Sequence, residues 1–146
     1  MQQRIQLIRG ADGQLTDALL LDIAERHLRE ADEVWNVLLR QFEQEDQFWD
    51  WEFKQRIYLN RENYEGYAIE CAGRTEGLLI LETRNHYSQL NRQARLIYIE
   101  ALVTAPWNRR DIHRPPELRG VGTILLTFAR QRSLELGYEG RVGLNA

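Results

Sequence analysis

Cysteine is almost absent from this sequence, which has one, Cys71, among 146 residues. A single thiol excludes an internal disulfide framework and cannot build a thiolate metal cluster by itself. Cys71 falls in a run that alternates like a strand, so we expect it to pack as a small apolar side chain rather than to act as a nucleophile. The histidines His27, His86 and His113 show no metal-ligand spacing with one another, and each is expected at the surface.

Long apolar runs and an excess of positive charge are also missing. No run approaches the length of a membrane span, and the residues after Met1 do not form a signal-like apolar core. The formal net charge of -3 argues against a general nucleic-acid or membrane binder. With 43% hydrophobic and 28% charged residues, the composition is typical of a soluble globular protein. We therefore expect one cytoplasmic domain over residues 1–146, with neither nucleic acid nor membrane as a partner.

The N-terminal part of the chain predicts one strand and two helices. Arg4 to Arg9 partly alternates like a strand, and Gly10 to Gly13 supplies turn residues. From Leu15 to about Gln44 apolar residues recur three to four apart, which predicts helix, with a break at Ala31-Asp32 because Asp32 can cap a new start. The aromatic run from Phe48 to Phe53 either packs the helices against the sheet, the commoner use of such rings, or forms a wall of a substrate pocket.

The middle of the chain predicts the core of a sheet. Tyr64 to Ala72 and Leu78 to Leu81 read as an antiparallel hairpin, and Asn85 to Gln93 as a loop. Leu96 to Thr104 is apolar on both faces, which indicates a central strand covered by helices. Glu100 is the exception in this strand. Its carboxylate either reaches solvent at the end of the sheet or is partly buried, in a setting suited to base chemistry.

A basic loop and a glycine turn follow that strand. Pro106 stops the strand, and four arginines between positions 109 and 119 make the loop locally cationic, which favours a polyanionic ligand. Glu117 to Thr123 then opens a helix that runs from about Gly120 to Leu136. Glycines and the free N–H groups of a helix N-terminus suit a phosphate. A Walker-type loop is excluded because Gly-Lys-[Ser/Thr] is absent, and the glycine spacing argues against a dinucleotide-binding unit.

The order of these elements resembles the GCN5-related N-acetyltransferase (GNAT) superfamily over nearly the whole chain. The most specific part is Tyr98 to Leu126, where that family has a strand, a Pro, and [Gln/Arg]-x-x-Gly-x-[Gly/Ala] before a Leu-rich helix. Here the motif reads Glu117-Leu118-Arg119-Gly120-Val121-Gly122, so Glu117 replaces the usual Gln or Arg. The resemblance implies an α/β (α+β) fold with a mixed, mostly antiparallel central sheet flanked by helices.

The resemblance also implies a ligand and its site. Acetyl-CoA would be the cosubstrate, and an unidentified primary amine would be the acceptor. Glu100 is implied as the catalytic base, acting through water. The implied cofactor-binding residues are Leu102, Val103 and Thr104, whose backbone would hold the pantetheine arm, and Arg119, Gly120, Val121, Gly122 and Thr123, whose amides would hold the pyrophosphate.

The end of the chain departs from the family. Similar acetyltransferases continue after the strand equivalent to Glu139 to Asn145 with a helix, which often carries a tyrosine acid, and two more strands. Tyr138 precedes the last strand and cannot be assumed to replace that tyrosine. The resemblance therefore implies a C-terminally shortened member, or one whose missing layer comes from a partner. The alternative to an enzyme is a non-catalytic acyl-CoA-binding or interaction module, with the exposed C-terminal strand edge as a route to a homo-oligomer.

Overall fold

Seven strands form one sheet in the computed structural model, which describes residues 1–145. Along the sheet the order is β6, β1, β2, β3, β4, β5, β7, and every pair is antiparallel except β5 with β7. The mixed, mostly antiparallel sheet expected from the sequence is confirmed. The strands are β1 (Gln2–Arg9), β2 (Leu15–Asp22), β3 (Tyr64–Cys71), β4 (Arg74–Tyr87), β5 (Arg95–Thr104), β6 (Leu118–Arg119) and β7 (Val142–Gly143).

Helices cover both faces of the sheet. On one face α4 packs through Val121, Leu125 and Ala129, which follow one another at four-residue intervals and are buried. On the other face the shorter helices bury Leu28, Trp35, Leu39 and Trp51 against β3, β4 and β5. The helices are α1 (Glu25–Glu30), α2 (Asn36–Gln41), α3 (Trp51–Lys54) and α4 (Val121–Glu135), with π-helical turns at Ala31–Trp35 and Gln55–Leu59 and a 3₁₀ turn at Pro106–Asn108.

The helix expected to begin at Leu15 is wrong over its first eight residues. Leu15–Asp22 is β2, which pairs with β1 after a turn closed by the Gly13 N–H on the Arg9 carbonyl at 2.8 Å. Ala18 and Leu20 alternate into the core. A short apolar run fits both the helical and the strand periodicity. Here pairing with the neighbouring strand β1 favours the strand.

Asp32 acts at a different helix from the one predicted. The chain stays helical through Ala31, so the expected break is a π-helical turn instead. The Asp32 carboxylate accepts the N–H groups of Trp51 at 2.8 Å and Glu52 at 3.0 Å, and so caps the start of α3. The aromatic run is divided between the two interpretations, because Trp51 is buried in the core whereas Trp49 lines two cavities. Phe48 is 77% exposed and fits neither.

Two histidines lie elsewhere than predicted. β4 extends to Tyr87, so His86 stands on a strand rather than in a loop; it hydrogen-bonds Glu82 and stacks on Tyr98 with ring centroids 4.1 Å apart. His27 is fully buried, not at the surface, and contacts the Glu70 carboxylate at 2.5 Å. Leu136, expected to cover the sheet, is exposed just beyond α4.

Candidate active site

β5 carries a bulge at Glu100. Ile80 of β4 pairs with Ala101 whereas Leu81 pairs with Ile99, so Glu100 is an extra residue without a partner on β4. Ile99 packs in the core on the α4 side, and Ala101 packs on the side of the shorter helices. The bulge therefore changes the direction of the strand at Glu100, which is the one carboxylate within this apolar stretch.

Three side chains from α3 and its surroundings lie near the Glu100 carboxylate. Burial raises the pKa of the Tyr58 and Tyr64 hydroxyls, and the negative charge of Glu100 raises both further. Burial lowers the pKa of the Lys54 ammonium, and Glu100 opposes that change. The rings of Tyr58 and Tyr64 are 5.0 Å apart. Glu100 itself is half-buried, at a polar end of the aromatic face.

A cleft opens between β5, α4 and the end of β7, which we call the β5–α4 cleft. β7 pairs with β5 only at Ile97 and Tyr98, so the strands separate before Glu100. The cleft has a volume of about 480 Å³. It is lined by Trp49, Ile99, Glu100, Ala101, Leu102, Gly122, Thr123, Leu126, Leu144 and Asn145.

Along this cleft β5 has a free edge. The Ala105 N–H donates to the Glu76 carbonyl of β4 at 2.9 Å. Because peptide groups of successive residues in a strand point to opposite edges, those of Val103 face β4 and those of Leu102 and Thr104 face the cleft. Among residues 1–145 the Leu102 peptide groups and the Thr104 N–H have no partner at this edge and are available to an extended ligand, whereas the Thr104 carbonyl accepts Arg109 and Val103 is directed to the sheet.

The N-terminus of α4 reaches the same cleft. Gly120 precedes the helix with φ +94°, a conformation that strains any side-chain-bearing residue. The first helical hydrogen bond runs from the Ile124 N–H to the Gly120 carbonyl at 2.9 Å. Among residues 1–145 no acceptor is found for the N–H groups of Val121, Gly122 and Thr123. These three donors lie at the positive end of the helix dipole and suit an anion.

Glu76 of β4 holds the basic loop that leads into α4. Its carboxylate is buried and accepts Trp107 Nε1–H at 2.7 Å and Asn108 Nδ2–H at 2.9 Å. Asn108 Oδ1 in turn accepts the Leu118 N–H at 3.0 Å. The polar chain from Glu76 to Leu118 thereby positions the glycine turn, which begins two residues later.

Glu117, the residue that departs from the family motif, belongs to the same framework. Its carboxylate pairs with the Arg74 guanidinium, whose Nε also donates to Glu76 at 3.0 Å. The Arg74 guanidinium lies over the Trp107 ring, 4.1 Å from its centroid. Glu117 therefore ties the loop to β4 through its side chain.

The four arginines of the loop have two different roles. Arg109 binds Asp46 through two hydrogen bonds and donates Nε–H and Nη2–H to the Thr104 carbonyl at 3.1 and 2.8 Å. The other three lie with Pro115 and Pro116 around a pocket of about 430 Å³, here called the arginine pocket. No carboxylate among residues 1–145 pairs with these three, which are Arg110, Arg114 and Arg119.

An acidic cavity of about 770 Å³ joins the β5–α4 cleft through the shared residues Trp49 and Leu102. Its carboxylates come from the segment between α2 and α3 and from the basic loop, so two distant parts of the sequence meet here. The acidic cavity is lined by Glu43, Gln44, Glu45, Asp46, Trp49, Leu102, Val103, Thr104, Arg109 and Asp111. A cation entering it would approach the bulge along β5.

Tyr138 is part of the framework and not of the cleft. Its hydroxyl donates to the Thr83 carbonyl at 2.6 Å, and its ring packs against the α4-side core. The positions of Lys54, Tyr58 and Tyr64 near Glu100 could not be predicted from the sequence, because they depend on how α3 and the π-helical turn after it dock on β3 and β5.

Comparison with known proteins identifies the fold. No protein-family model matches the sequence, and no curated protein matches it significantly. Solved structures do match. The aminoglycoside N-acetyltransferase AAC(6')-Iy, in complex with the bisubstrate analogue CoA-S-monomethyl-acetylneamine, is 14% identical with TM-score 0.60, over 88% of this chain and 79% of that chain.

Two further structures give a similar result. A GNAT family acetyltransferase from Staphylococcus aureus is 15% identical with TM-score 0.59, over 88% of this chain and 86% of that chain. A transcriptional regulator from Bacillus halodurans is 17% identical with TM-score 0.59, over 88% of this chain and 81% of that chain. The fold expected from the sequence resemblance is confirmed by these matches.

Proposed function

We propose that this chain, which has the GNAT fold, binds acetyl-CoA and transfers the acetyl group to a primary amine. The observation that carries the proposal is the position of Glu100. It stands at the bulge of β5, on the wall of a cleft that extends to the free amides of the α4 N-terminus. A carboxylate at one end and an anion-binding helix start at the other fit a long ligand with a reactive end and a phosphate end.

The two ends of the cleft suit different parts of acetyl-CoA. The N–H groups of Val121, Gly122 and Thr123 would bind the pyrophosphate, together with the turn at Arg119 and Gly120. The peptide groups of Leu102 and the Thr104 N–H would pair with the amides of the pantetheine arm, as an added strand does. The peptide groups of Val103 are directed to β4, and the Thr104 carbonyl accepts Arg109. These groups would therefore not hydrogen-bond the pantetheine arm.

Glu100 would act as the general base. The attacking amine must lose a proton as its nitrogen bonds to the thioester carbonyl carbon, and a half-buried carboxylate can accept that proton through one water. Backbone N–H groups at the bulge would polarise the carbonyl oxygen as negative charge develops on it. The thioester C–S bond then breaks, and the sulfur leaves as the thiol of coenzyme A after gaining a proton.

The acidic cavity makes a cationic amine the first acceptor class to test. Four carboxylates line it, and Arg109 neutralises that of Asp46. Opposite charge raises the local concentration of a cationic substrate at such an opening. One structural neighbour is bound to an analogue that joins CoA to an aminoglycoside fragment, so aminoglycosides and polyamines belong in the acceptor panel.

A second function is favoured by the position of Tyr138. Since its hydroxyl is engaged with Thr83, it supplies no acid to a departing thiolate. A chain that binds acyl-CoA without transfer, and docks to a partner or a second copy through the β7 edge, agrees with that arrangement. A protein described as a transcriptional regulator shares the fold.

Calorimetry with acetyl-CoA, followed by thiol release with an amine panel, separates these functions. The proposal expects saturable binding at micromolar concentrations and thiol release that depends on the amine. Binding without release would support the acyl-CoA-binding module instead. No binding at high micromolar acetyl-CoA would overturn both.

A further inference from the structure

Lysine occurs once in this chain, at Lys54, although lysine and arginine together number 19. Apart from the α-amine of Met1, the Lys54 side chain is therefore the only primary amine in the sequence. It is the last residue of α3. The one amine-bearing side chain is close enough to Glu100, the carboxylate assigned as a base for amine acetylation, for the two charges to interact.

Aromatic rings hold the Lys54 ammonium in place. Nζ lies 4.4 Å from the centroid of the Trp49 ring, 5.8 Å from that of Tyr58 and 5.9 Å from that of Trp51. Trp49 also lines the β5–α4 cleft beside Glu100. Rings around an ammonium attract it by the cation–π interaction and also shield it from water. The group is consequently close to the cleft and partly desolvated.

The surroundings of Lys54 favour a nucleophilic amine. Burial lowers the pKa of its ammonium, and the nearby Glu100 carboxylate opposes that change without reversing it. The fraction of neutral amine at a given pH is therefore higher than for a lysine in water. The four-carbon stem is flexible enough to turn Nζ from the Trp49 face toward the cleft.

We propose that Lys54 is an internal acceptor, and that the protein acetylates its own Lys54 Nζ with acetyl-CoA. The inference rests on the proposed function. The neutral Nζ bonds to the acetyl carbonyl carbon, the C–S bond breaks, and coenzyme A leaves as the thiol. Glu100 takes the proton lost from nitrogen, and that proton passes to the sulfur or to solvent. No oxidant or other co-reactant is needed.

Acetylation of Lys54 has a consequence for external acceptors. The product is a neutral amide, which loses the cation–π attraction to Trp49 and fills space beside Glu100 with an acetyl group. External amines would then find the approach to Glu100 narrowed. Self-acetylation therefore lowers turnover of external amines as it proceeds.

The test is incubation of the full chain with acetyl-CoA alone, followed by peptide mass mapping. The expected result is a gain of one acetyl group at Lys54, at a rate per molecule that does not change with protein concentration. The Met1 α-amine serves as an internal control, because it pairs with Asp22 at the far end of the β1–β2 hairpin. It should remain unmodified over the same period.

Two variants and one binding measurement make the result decisive. Glu100→Gln should slow labelling of Lys54 by about 10²-fold on general-base grounds, and Lys54→Arg should abolish the acetylated peptide while keeping a cation over Trp49. Equal labelling of Met1 and Lys54, or labelling unchanged in Glu100→Gln or in urea, would show ordinary chemical acetylation and overturn the inference. Acetyl-CoA binding by calorimetry without Lys54 labelling would overturn it alone, whereas no binding would overturn the proposed function as well.

Discussion

The Arg109 guanidinium binds the Asp46 carboxylate through two parallel hydrogen bonds, of 2.7 Å from Nη1 and 2.8 Å from Nη2. Both side chains are mostly buried, at 15% and 12% exposure. The pair joins the segment after α2 to the end of β5, since Arg109 also donates to the Thr104 carbonyl. Arg109 therefore has a structural role between the acidic cavity and the cleft, although the sequence analysis grouped it with the loop arginines that favour a polyanionic ligand.

Replacing Arg109 should destabilise the fold. Arg109→Ala leaves Asp46 without its partner and frees the Thr104 carbonyl, and loss of one member of a mostly buried pair costs about 3 kcal/mol. Urea denaturation measures this as a lower midpoint with an unchanged slope. Arg110→Ala, the exposed neighbour, should stay within about 0.5 kcal/mol of the parent. Equal midpoints for the two variants would contradict the role assigned to Arg109.

Removing the carboxylate at the bulge should impair transfer and leave binding intact. Glu100→Gln keeps the size of the side chain but cannot accept the amine proton, so kcat for an accepted amine should fall by about 10²-fold or more. Calorimetry should still show acetyl-CoA binding within about threefold of the parent, because Glu100 lies away from the phosphate end. Glu52→Gln, an exposed carboxylate on α3, is the matched control. Unchanged turnover in Glu100→Gln would remove Glu100 as the base.

The arginine pocket should recognise the phosphates of the cofactor and not its thioester end. Arg110→Gln, Arg114→Gln and Arg119→Gln should each weaken acetyl-CoA binding about threefold, the size expected for an exposed charge contact. None should affect turnover with acetyl-pantetheine, which has no phosphate. The exposed Arg92 gives the control variant Arg92→Gln. A uniform loss with both donors would point to a folding defect instead of phosphate recognition.

The close packing of α4 on β4 depends on Gly77. A Cβ at this position would come within 2.6 Å of Val121 Cγ1 and 3.1 Å of Leu125 Cδ1. Gly77→Ala should therefore push the start of α4 outward, lowering the free energy of unfolding by about 1–3 kcal/mol. Acetyl-CoA binding should weaken with it, although Gly77 lies outside the proposed contacts. Asn85→Ala, at an exposed position of β4, is the control for a change on the same strand. Acetyl-CoA binding by Gly77→Ala equal to that of the parent would contradict this positioning role.

Acid should loosen the attachment of α4 to β3. Burial alone would raise the pKa of the Glu65 carboxyl, but hydrogen bonds from Arg132 and Tyr67 hold it below its ordinary value of 4.5. Arg132 donates to both carboxylate oxygens, at 2.9 and 2.7 Å. A carboxyl whose folded-state pKa is depressed stabilises the fold above its unfolded pKa, and that contribution is lost as the pH falls below about 4.5.

The effect can be isolated by substitution. Glu65→Gln should be less stable than the parent at pH 7, and the difference should shrink as urea midpoints are measured from pH 5 down to pH 3. Glu139→Gln, at an exposed position, should show no such convergence. A constant difference between Glu65→Gln and the parent at all pH values would contradict the linkage.

The sequence predicted the parts of the fold that local pattern determines. The faces of β3 and the extent of β5 followed from alternation and apolar content, and α4 followed from its glycine start and four-residue spacing. β2 was missed because Leu15–Asp22 fits both the helical and the strand periodicity, and only its pairing with β1 decides between them. Asp32 was assigned to the wrong helix because capping at a distance depends on tertiary packing.

The candidate site was predictable where it lies on consecutive residues. The glycine turn and the end of β5 could be read directly, and so could the anomaly of Glu100. The position of the bulge could not be read from the sequence, because a bulge is a mismatch in register between two strands and neither strand shows it alone. Lys54 and Tyr58 come to Glu100 through the docking of α3, and the separation of the loop arginines into Arg109 and the other three depends on where Asp46 lies.

Trp49 gives the molecule a built-in optical probe. The other tryptophans, Trp35, Trp51 and Trp107, are buried in the core, whereas Trp49 lines both the β5–α4 cleft and the acidic cavity and carries the Lys54 ammonium on its face. A molecule entering either space, or loss of the charge on Lys54, changes the polarity most around this indole, since Lys54 Nζ is 4.4 Å from the Trp49 ring centroid and 5.9 Å from that of Trp51. Its fluorescence therefore reports occupation of the site in the unlabelled protein.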